Sequence, residues 1–270
     1  MGNVVQIDEL QSIKGRFTLE GKKTIVTGAS GGIGRTTAMA FAELGADVAL
    51  LDINIEKSNE YAEYIKNKYG VKTIAIKTDV SDMTSVKEMM AIVLKEFGTV
   101  DTVHSNAGII MPDDNGDMPI TSWKKMVDVN LTGMFILNQI TACYMRNANK
   151  SGCIINTASM SGHVVTDKPC DRYSVCYTST KAGVLQLTKS MAMDFSKYGI
   201  RINSVSPGFM FSGIHDNMPK ETLELRGKSV PAGRFGSMDE IGGIVAFLAS
   251  DLASYITGTD VIVDGGYCCR

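Results

Sequence analysis

Short apolar runs that read as strands alternate with stretches whose apolar residues recur at helical spacing, and this alternation leaves few folds open to the chain. The segment "KKTIVTGASGGIGRTTAMAFAELGADVALLDIN" shows the unit. Its "TIVT" is short and β-branched, as strands are. A glycine-rich turn follows, and then Ile33, Ala40, Phe41 and Leu44 fall on one helical face that stops at Gly45. "VALLDI" is a continuous apolar run, the pattern of a strand buried on both faces of a parallel sheet.

The unit repeats. A charged helix spans Glu56 to Tyr69, followed by strand "KTIAIKTDV", a helix from Asp82 to Phe97, strand "VDTVHSNAG", a helix from Ser122 to Asn147 and strand "GCIINTAS". Beyond these come a helix opened by "YTSTKAG", strand "RINSVSPG", a helix from Met238 to Ala249 and a last strand "DVIVDGG". Strand–helix alternation implies parallel pairing with right-handed crossovers, hence an α/β doubly wound sheet of about seven strands with helices on both faces. One domain over residues 21–270 is enough, preceded by a polar N-terminal arm over 1–20. Two irregular stretches, 162–175 and 209–234, each follow a strand. Ligands of open α/β sheets bind beyond the carboxyl ends of the strands, so these stretches are the expected walls of a substrate site, the second a candidate lid.

Bulk properties exclude several functions. A net charge of −2, from 27 basic and 29 acidic residues spread along the chain, gives no footprint for nucleic acid or an anionic membrane. No apolar run approaches the roughly 18 residues that cross a bilayer. "MGNVVQIDELQSIKGRF" has no apolar centre for a signal peptide, so a cytoplasmic location is expected. Six cysteines show no CxxC pair and read as reduced thiols, and three histidines show no metal spacing, so no metal is expected.

"TGASGGIG" sits between the first strand and first helix, where Gly28, Gly32 and Gly34 let the backbone turn tightly and approach a pyrophosphate facing the helix N-terminus. Ser30, Gly31 and Ile33 belong to the same cofactor-binding turn. Its spacing is GxxxGxG. Eighteen residues beyond Gly34, Asp52 ends the second strand, where a carboxylate can accept ribose hydroxyls and would repel a 2′-phosphate. The expected cofactor is NAD rather than NADP. Arg35 is the nearby residue that could accommodate a phosphate.

Taken together with motifs further along, the chain resembles the short-chain dehydrogenase/reductase family over about Leu19 to Tyr267. The motifs run in order: "TGASGGIG", "DV" (Asp79, Val80), "NAG" (Asn106, Ala107, Gly108), "VNLTG" (Asn130), "NTASMSG" (Ser159), "YTSTK" and "SPGFM". The resemblance implies a Rossmann-type sheet, with Asp79 and Val80 beside the adenine, the Asn106 loop beside the cofactor, and the turn after Pro207 and Gly208 against the nicotinamide. In that turn Met210 and Ser212 replace the commoner branched aliphatic and threonine. His104 is expected to be a packed strand residue.

Hydride transfer between an alcohol carbon and nicotinamide needs a group that handles the hydroxyl proton near neutral pH, and a free tyrosine, with a pKa near 10, is a poor base. In "CYTSTKAG" a lysine stands one helical turn after a tyrosine, and its ammonium would favour the phenolate of Tyr177. Tyr64 and Lys68 have the same spacing but stand on a charged helix with no such surroundings. The resemblance makes Tyr177 the general acid/base, Lys181 the holder of the nicotinamide ribose, Ser159 the partner of the substrate oxygen ahead of Ser161, and Asn130 the holder of a relay water.

Eighteen residues separate Ser159 from Tyr177, about five more than many family members show, and the surplus falls in "VVTDKPCDRYSV". "SMSGH" with this insertion, and the short arm ending "FTLEGKK", look most like polyol and ketose dehydrogenases. Hydroxysteroid dehydrogenases come second, because Phe209, Phe211 and Met218 could line an apolar site, and a 3-oxoacyl reductase third. A non-catalytic NAD sensor would lack part of the tetrad, and here all four positions are filled. Apolar helices "VNLTGMFILNQITACYM" and "STKAGVLQLTKSMAMDF" suggest subunit contacts, which in this family commonly build a homotetramer.

Overall fold

Seven parallel strands form one sheet: β1 (Lys23–Thr27), β2 (Asp47–Asp52), β3 (Thr73–Lys77), β4 (Thr102–Ser105), β5 (Gly152–Thr157), β6 (Ile200–Pro207) and β7 (Asp260–Val263), in the spatial order β3-β2-β1-β4-β5-β6-β7. The computed structural model describes residues 12–166, 174–211 and 220–269. The order reverses direction between β1 and β4, where Ile25 pairs with Ala49 on one side and with Val103 on the other. This is the switch point at which a doubly wound sheet opens a crevice.

Alternation along each strand sends neighbouring side chains to opposite faces. Val26, Val48, Leu50, Ile155 and Val205 pack on one side against α2 (Gly32–Glu43), α3 (Ile55–Tyr69) and α9 (Met238–Ala249), through Phe41, Ile65, Ile241 and Val245. Ile25, Ala49, Leu51, Val103 and Ile154 pack on the other side against α4 (Met83–Phe97), α6 (Met134–Asn147) and α7 (Val175–Phe195). Each fully buried side chain of this size contributes on the order of 2 kcal/mol. The helices end where their sequences say. Asn54 and Asp82 cap α3 and α4 by accepting from the N–H of Lys57 and Thr84, and Gly70 and Gly98 close them in the left-handed conformation.

Three details depart from the sequence expectations. The helix expected over Ser122 to Asn147 is divided: α5 (Ile120–Val127) and α6 flank a π-helical turn, Asp128–Gly133, in "DVNLTG". The stretch 209–234, expected to be irregular, contains α8 (Lys220–Ser229). The described part of the N-terminal arm, from residue 12 on, contains the short helix α1 (Ile13–Arg16), and Leu19 near its end is fully buried in the core. Residues 167–173 of the first expected substrate wall, and 212–219 of the second, with Ser212 and Met218, lie outside the described residues.

Candidate active site

A cleft of about 690 Å³ opens at the carboxyl ends of β1, β4, β5 and β6. Of the residues expected to bind cofactor or act on substrate, it is lined by Gly28, Ser30, Gly31, Gly32, Ile33, Asp52, Asn106, Ala107, Gly108, Ser159, Tyr177, Lys181, Pro207, Gly208 and Met210. Gly34, Asp79, Val80 and Asn130 are not among the lining residues. Asp79 is exposed and its carboxylate accepts from the N–H and hydroxyl of Ser81, while Val80 packs on Gly133 of the π-turn. Residues that sequence reasoning did not single out also reach the cleft, among them Ile109, Ile110, Thr157 and Met238.

The floor is made of backbone. Gly31, the N-cap of α2, makes no side-chain cap, so the N–H groups of the first turn have no intrahelical acceptor, and the helix dipole adds to their pull on an anion. Gly34 is a packing glycine: a Cβ there would lie 2.2 Å from the carbonyl oxygen of Gly28. A glycine cradle at a free helix N-terminus is the donor set that a pyrophosphate needs, and the residues present fit a dinucleotide.

Beside it a hydrogen-bonded chain holds the Asn106 loop. Asn106 Nδ2 donates to the Thr27 carbonyl at 2.9 Å, and the N–H groups of Asn106 and Ala107 both donate to Thr27 Oγ1. Thr157 Oγ1 donates to Asn106 Oδ1 at 3.0 Å and meets His104 Nε2 at 2.9 Å. With the threonine proton committed to Asn106, His104 must be the donor through Nε2, which leaves Nδ1 bare. Burial, reinforced by the charge of Lys181, pushes His104 down to about 3, so it is a neutral packed residue.

The other wall is made of side chains. Ser159 follows β5, its Oγ accepts from the Ser161 N–H at 3.1 Å, and it lines the cleft together with Tyr177. The turn Met160–Gly162 lies directly on α7, where a Cβ on Gly162 would come within 2.9 Å of the Lys181 carbonyl group, so the serine and the tyrosine keep a fixed relation. Lys181, 2 % exposed, donates from Nζ to the Thr157 carbonyl at 2.6 Å and lies 5.6 Å from the centre of the Tyr177 ring. Burial lowers the Lys181 ammonium to about 8. Burial also raises the Tyr177 phenol above its usual value, and the Ser159 hydrogen bond draws it back in part. Asn130, fully buried in the π-turn, clamps the loop after Gly108: Oδ1 accepts from the Ile109 N–H and Nδ2 donates to the Ile109 carbonyl, both at 2.8 Å. A side chain on Gly108 would touch Asn130 Oδ1 at 3.4 Å and Lys181 Nζ at 3.6 Å, so the two converge on that glycine.

One polar contact had no counterpart in the sequence reading. Asp114, 3 % exposed, accepts from the N–H of Cys176 at 2.8 Å through Oδ1 and from that of Tyr177 at 3.1 Å through Oδ2. "MPDDNGDMP" reads as a loop, and nothing in its own composition reveals a partner 62 residues away.

The chain has known relatives. A family model described as enoyl-(acyl carrier protein) reductase matches residues 28–268. The chain is 39 % identical over 263 residues to a probable NADP-dependent mannitol dehydrogenase of Yarrowia lipolytica, covering 96 % of this chain and 92 % of that protein. It is 38 % identical to a sorbose reductase of Candida albicans, covering 94 % of this chain and 89 % of that one. A short-chain type dehydrogenase/reductase from Mycobacterium marinum has the same fold, with a TM-score of 0.90, 36 % identity, and 96 % and 100 % of the two chains covered.

The mannitol dehydrogenase corrects the expectation of NAD, since its name specifies NADP. The physical reason lies in what Asp52 does. Its Oδ2 accepts from the Ser30 N–H at 3.1 Å and its Oδ1 from the Asn54 N–H at 3.0 Å, closing the turn into α3 against the glycine turn. Two backbone donors hold this carboxylate, so its place at the end of β2 has a structural cause that does not depend on a ribose. Arg35, one turn into α2, is exposed and stacks over Tyr61 at 5.3 Å. With the sheet, the cleft and these matches in agreement, the chain belongs to the short-chain dehydrogenase/reductase family of oxidoreductases.

Proposed function

We propose that the protein interconverts a secondary alcohol and a ketone of the polyol and ketose class, with NADP(H) as cofactor and Tyr177 as general acid/base. The observation that carries the reading is that Ser159, Tyr177 and Lys181 line one cleft, with the Lys181 ammonium 5.6 Å from the centre of the Tyr177 ring. The names of the relatives, mannitol dehydrogenase and sorbose reductase, support the substrate class. NADP(H) supplies the hydride, or accepts it in the reverse direction.

The residues of this chain handle everything else. The glycine turn with Ser30, Gly31, Gly32 and Ile33 holds the pyrophosphate, Arg35 meets the 2′-phosphate, and Asp79 and Val80 border the adenine. Ala107, Gly108, Pro207, Gly208 and Met210 wall the nicotinamide end. Ser159 donates to the substrate oxygen, and Tyr177 gives that oxygen its proton in reduction or removes it in oxidation. The enclosed phenol is too weak an acid to ionise alone near neutral pH, so a neighbouring positive charge is what brings it into range. Lys181 provides that charge up to about pH 8 and binds the nicotinamide ribose, while Asn130 completes a relay from Lys181 through water.

No described helix is long and apolar enough to cross a membrane, and we propose a cytoplasmic enzyme. Phe135 on α6 and Met193 on α7, 40 % and 81 % exposed, support the homotetramer expected from the helix sequences. The deciding experiment follows NADPH oxidation with fructose, sorbose and other ketoses, beside a steroid ketone and a 3-oxoacyl thioester, and repeats each with NADH. Turnover of a ketose with NADPH is expected. Turnover confined to the steroid or the thioester would overturn the substrate class, and indifference to the 2′-phosphate would overturn the cofactor.

A further inference from the structure

Helix α7 begins in an unusual way. Its N-cap, Ser174, is a residue type that ordinarily accepts from the first-turn N–H groups, yet its side chain makes no such bond. The capping is done from another loop. Asp114 turns one carboxylate oxygen to the N–H of Cys176 and the other to that of Tyr177, and it is almost completely buried in doing so. No described Lys, Arg or His forms an ion pair with this carboxylate. Its compensation is the pair of backbone donors together with the positive end of a 21-residue helix.

The loop that carries Asp114 also walls the cleft. Asn106 to Ile110 line it, Asn130 clamps Ile109, and Asp114 follows four residues after Ile110. A single carboxylate therefore joins the dinucleotide wall to the backbone of Tyr177. The neighbouring Asp113 accepts from the Ser122 hydroxyl, and no hydrogen bond between it and α7 is found among the described residues. From this juxtaposition we infer that Asp114 is a positioning residue for the reaction: it fixes the backbone of Tyr177 relative to the cofactor-facing loop, and so sets where the phenol meets the substrate oxygen. The inference rests on the reading of Tyr177 as general acid/base.

The test compares Asp114→Ala, Asp114→Asn and the control Asp113→Asn with the wild type, together with Tyr177→Phe. Asp114→Ala removes both acceptors and should lower kcat by about 100-fold, the order expected of a displacement near 1 Å at a reacting group. Asp114→Asn keeps one acceptor and should fall between, about tenfold. The KM for NADPH should stay within about twofold in both, because the glycine turn is untouched. Quenching of the single tryptophan, Trp123, whose carbonyl meets the Cys176 thiol, should titrate with NADPH at unchanged concentration. If Asp114→Ala does not fold, Asp114→Asn and the double variant Asp114→Ala with Ser174→Asp, which restores a cap from within the helix, are read in the same way. The double variant should regain thermal stability without regaining kcat.

Folded Asp114 variants with kcat within twofold of wild type would overturn the inference. So would a fall in kcat matched by an equal loss of NADPH affinity, or full recovery of kcat in the double variant. An active Tyr177→Phe would instead overturn the reading of Tyr177, whatever the Asp114 variants do.

Discussion

The two walls of the cleft are built from different materials. At the end of β1 the groups proposed to bind are backbone N–H groups at the start of α2, whose N-cap, Gly31, has no side chain. At the end of β5 and the start of α7 the groups proposed to act are the side chains of Ser159, Tyr177 and Lys181, each buried or partly buried. A wall made of backbone can bind a charge that does not change in the reaction. A wall made of ionisable side chains can move a proton, and must be held against the cost of burying them. A lesion in the first should therefore weaken binding, and a lesion in the second should slow turnover.

The largest separation of the two effects is expected from Tyr177→Phe. The phenylalanine keeps the ring and its packing and removes the hydroxyl, so kcat for ketose reduction should fall by about 10³ to 10⁴-fold while NADPH binds as before. Steady-state rates and a fluorescence titration of NADPH measure the two sides. Loss of NADPH binding in this variant would erase the distinction between the walls.

Lys181 sharpens the comparison through pH. Its ammonium stands at about 8 in the fold, against 10.5 in the free chain. Between these values the unfolded chain holds the proton and the native chain does not, so this residue makes stability rise with pH from about 8 to about 10.5. Below about pH 8 the fold carries the full cost of the buried charge. Lys181→Met lacks that dependence. Relative to wild type, the methionine variant should be favoured at pH 7, and that advantage should shrink by about 3 kcal/mol by pH 11. Denaturant melts of both proteins across this range give the difference directly, and a constant difference would show that Lys181 titrates as an ordinary exposed lysine.

How far these walls can be read in the sequence follows from their construction. The backbone wall leaves a trace because only glycine suits Gly28, with its positive φ, and Gly34, pressed on Gly28. The sheet was readable for a similar reason, since apolar runs such as "VALLDI" and the caps Asn54 and Asp82 are local signals. That the tyrosine and lysine would line the cleft was readable by position. What escaped notice was contact between distant residues. Asp52 looked like a ribose partner, but both oxygens go to backbone N–H groups that no pattern announces. Asp114 stands in a loop that the sequence left without a reading, and it caps a helix 62 residues away. The π-turn at Asp128–Gly133 continues a helical spacing so closely that periodicity alone runs through it, although that turn carries Asn130 to Ile109.

Gly34→Ala gives the smallest effect and the converse of Tyr177→Phe. A methyl group there collides with the Gly28 carbonyl, a backbone atom that cannot rotate aside, so α2 must shift against β1. Overpacking of this kind costs about 2 kcal/mol, or about 6 °C of melting temperature in a chain of this size. The shift also moves the N–H groups of the cradle, so the KM for NADPH should rise by about tenfold, whereas kcat at saturating NADPH should change little, because Ser159 and Tyr177 are held by α7 and not by α2. Gly31→Ala is the control. Its backbone is extended and a Cβ there meets nothing within 4 Å, so the fold should keep its melting temperature. If Gly34→Ala lowers kcat while leaving NADPH affinity intact, the cradle and the proton-handling wall are mechanically coupled, and the division between them fails where the two were expected to be most independent.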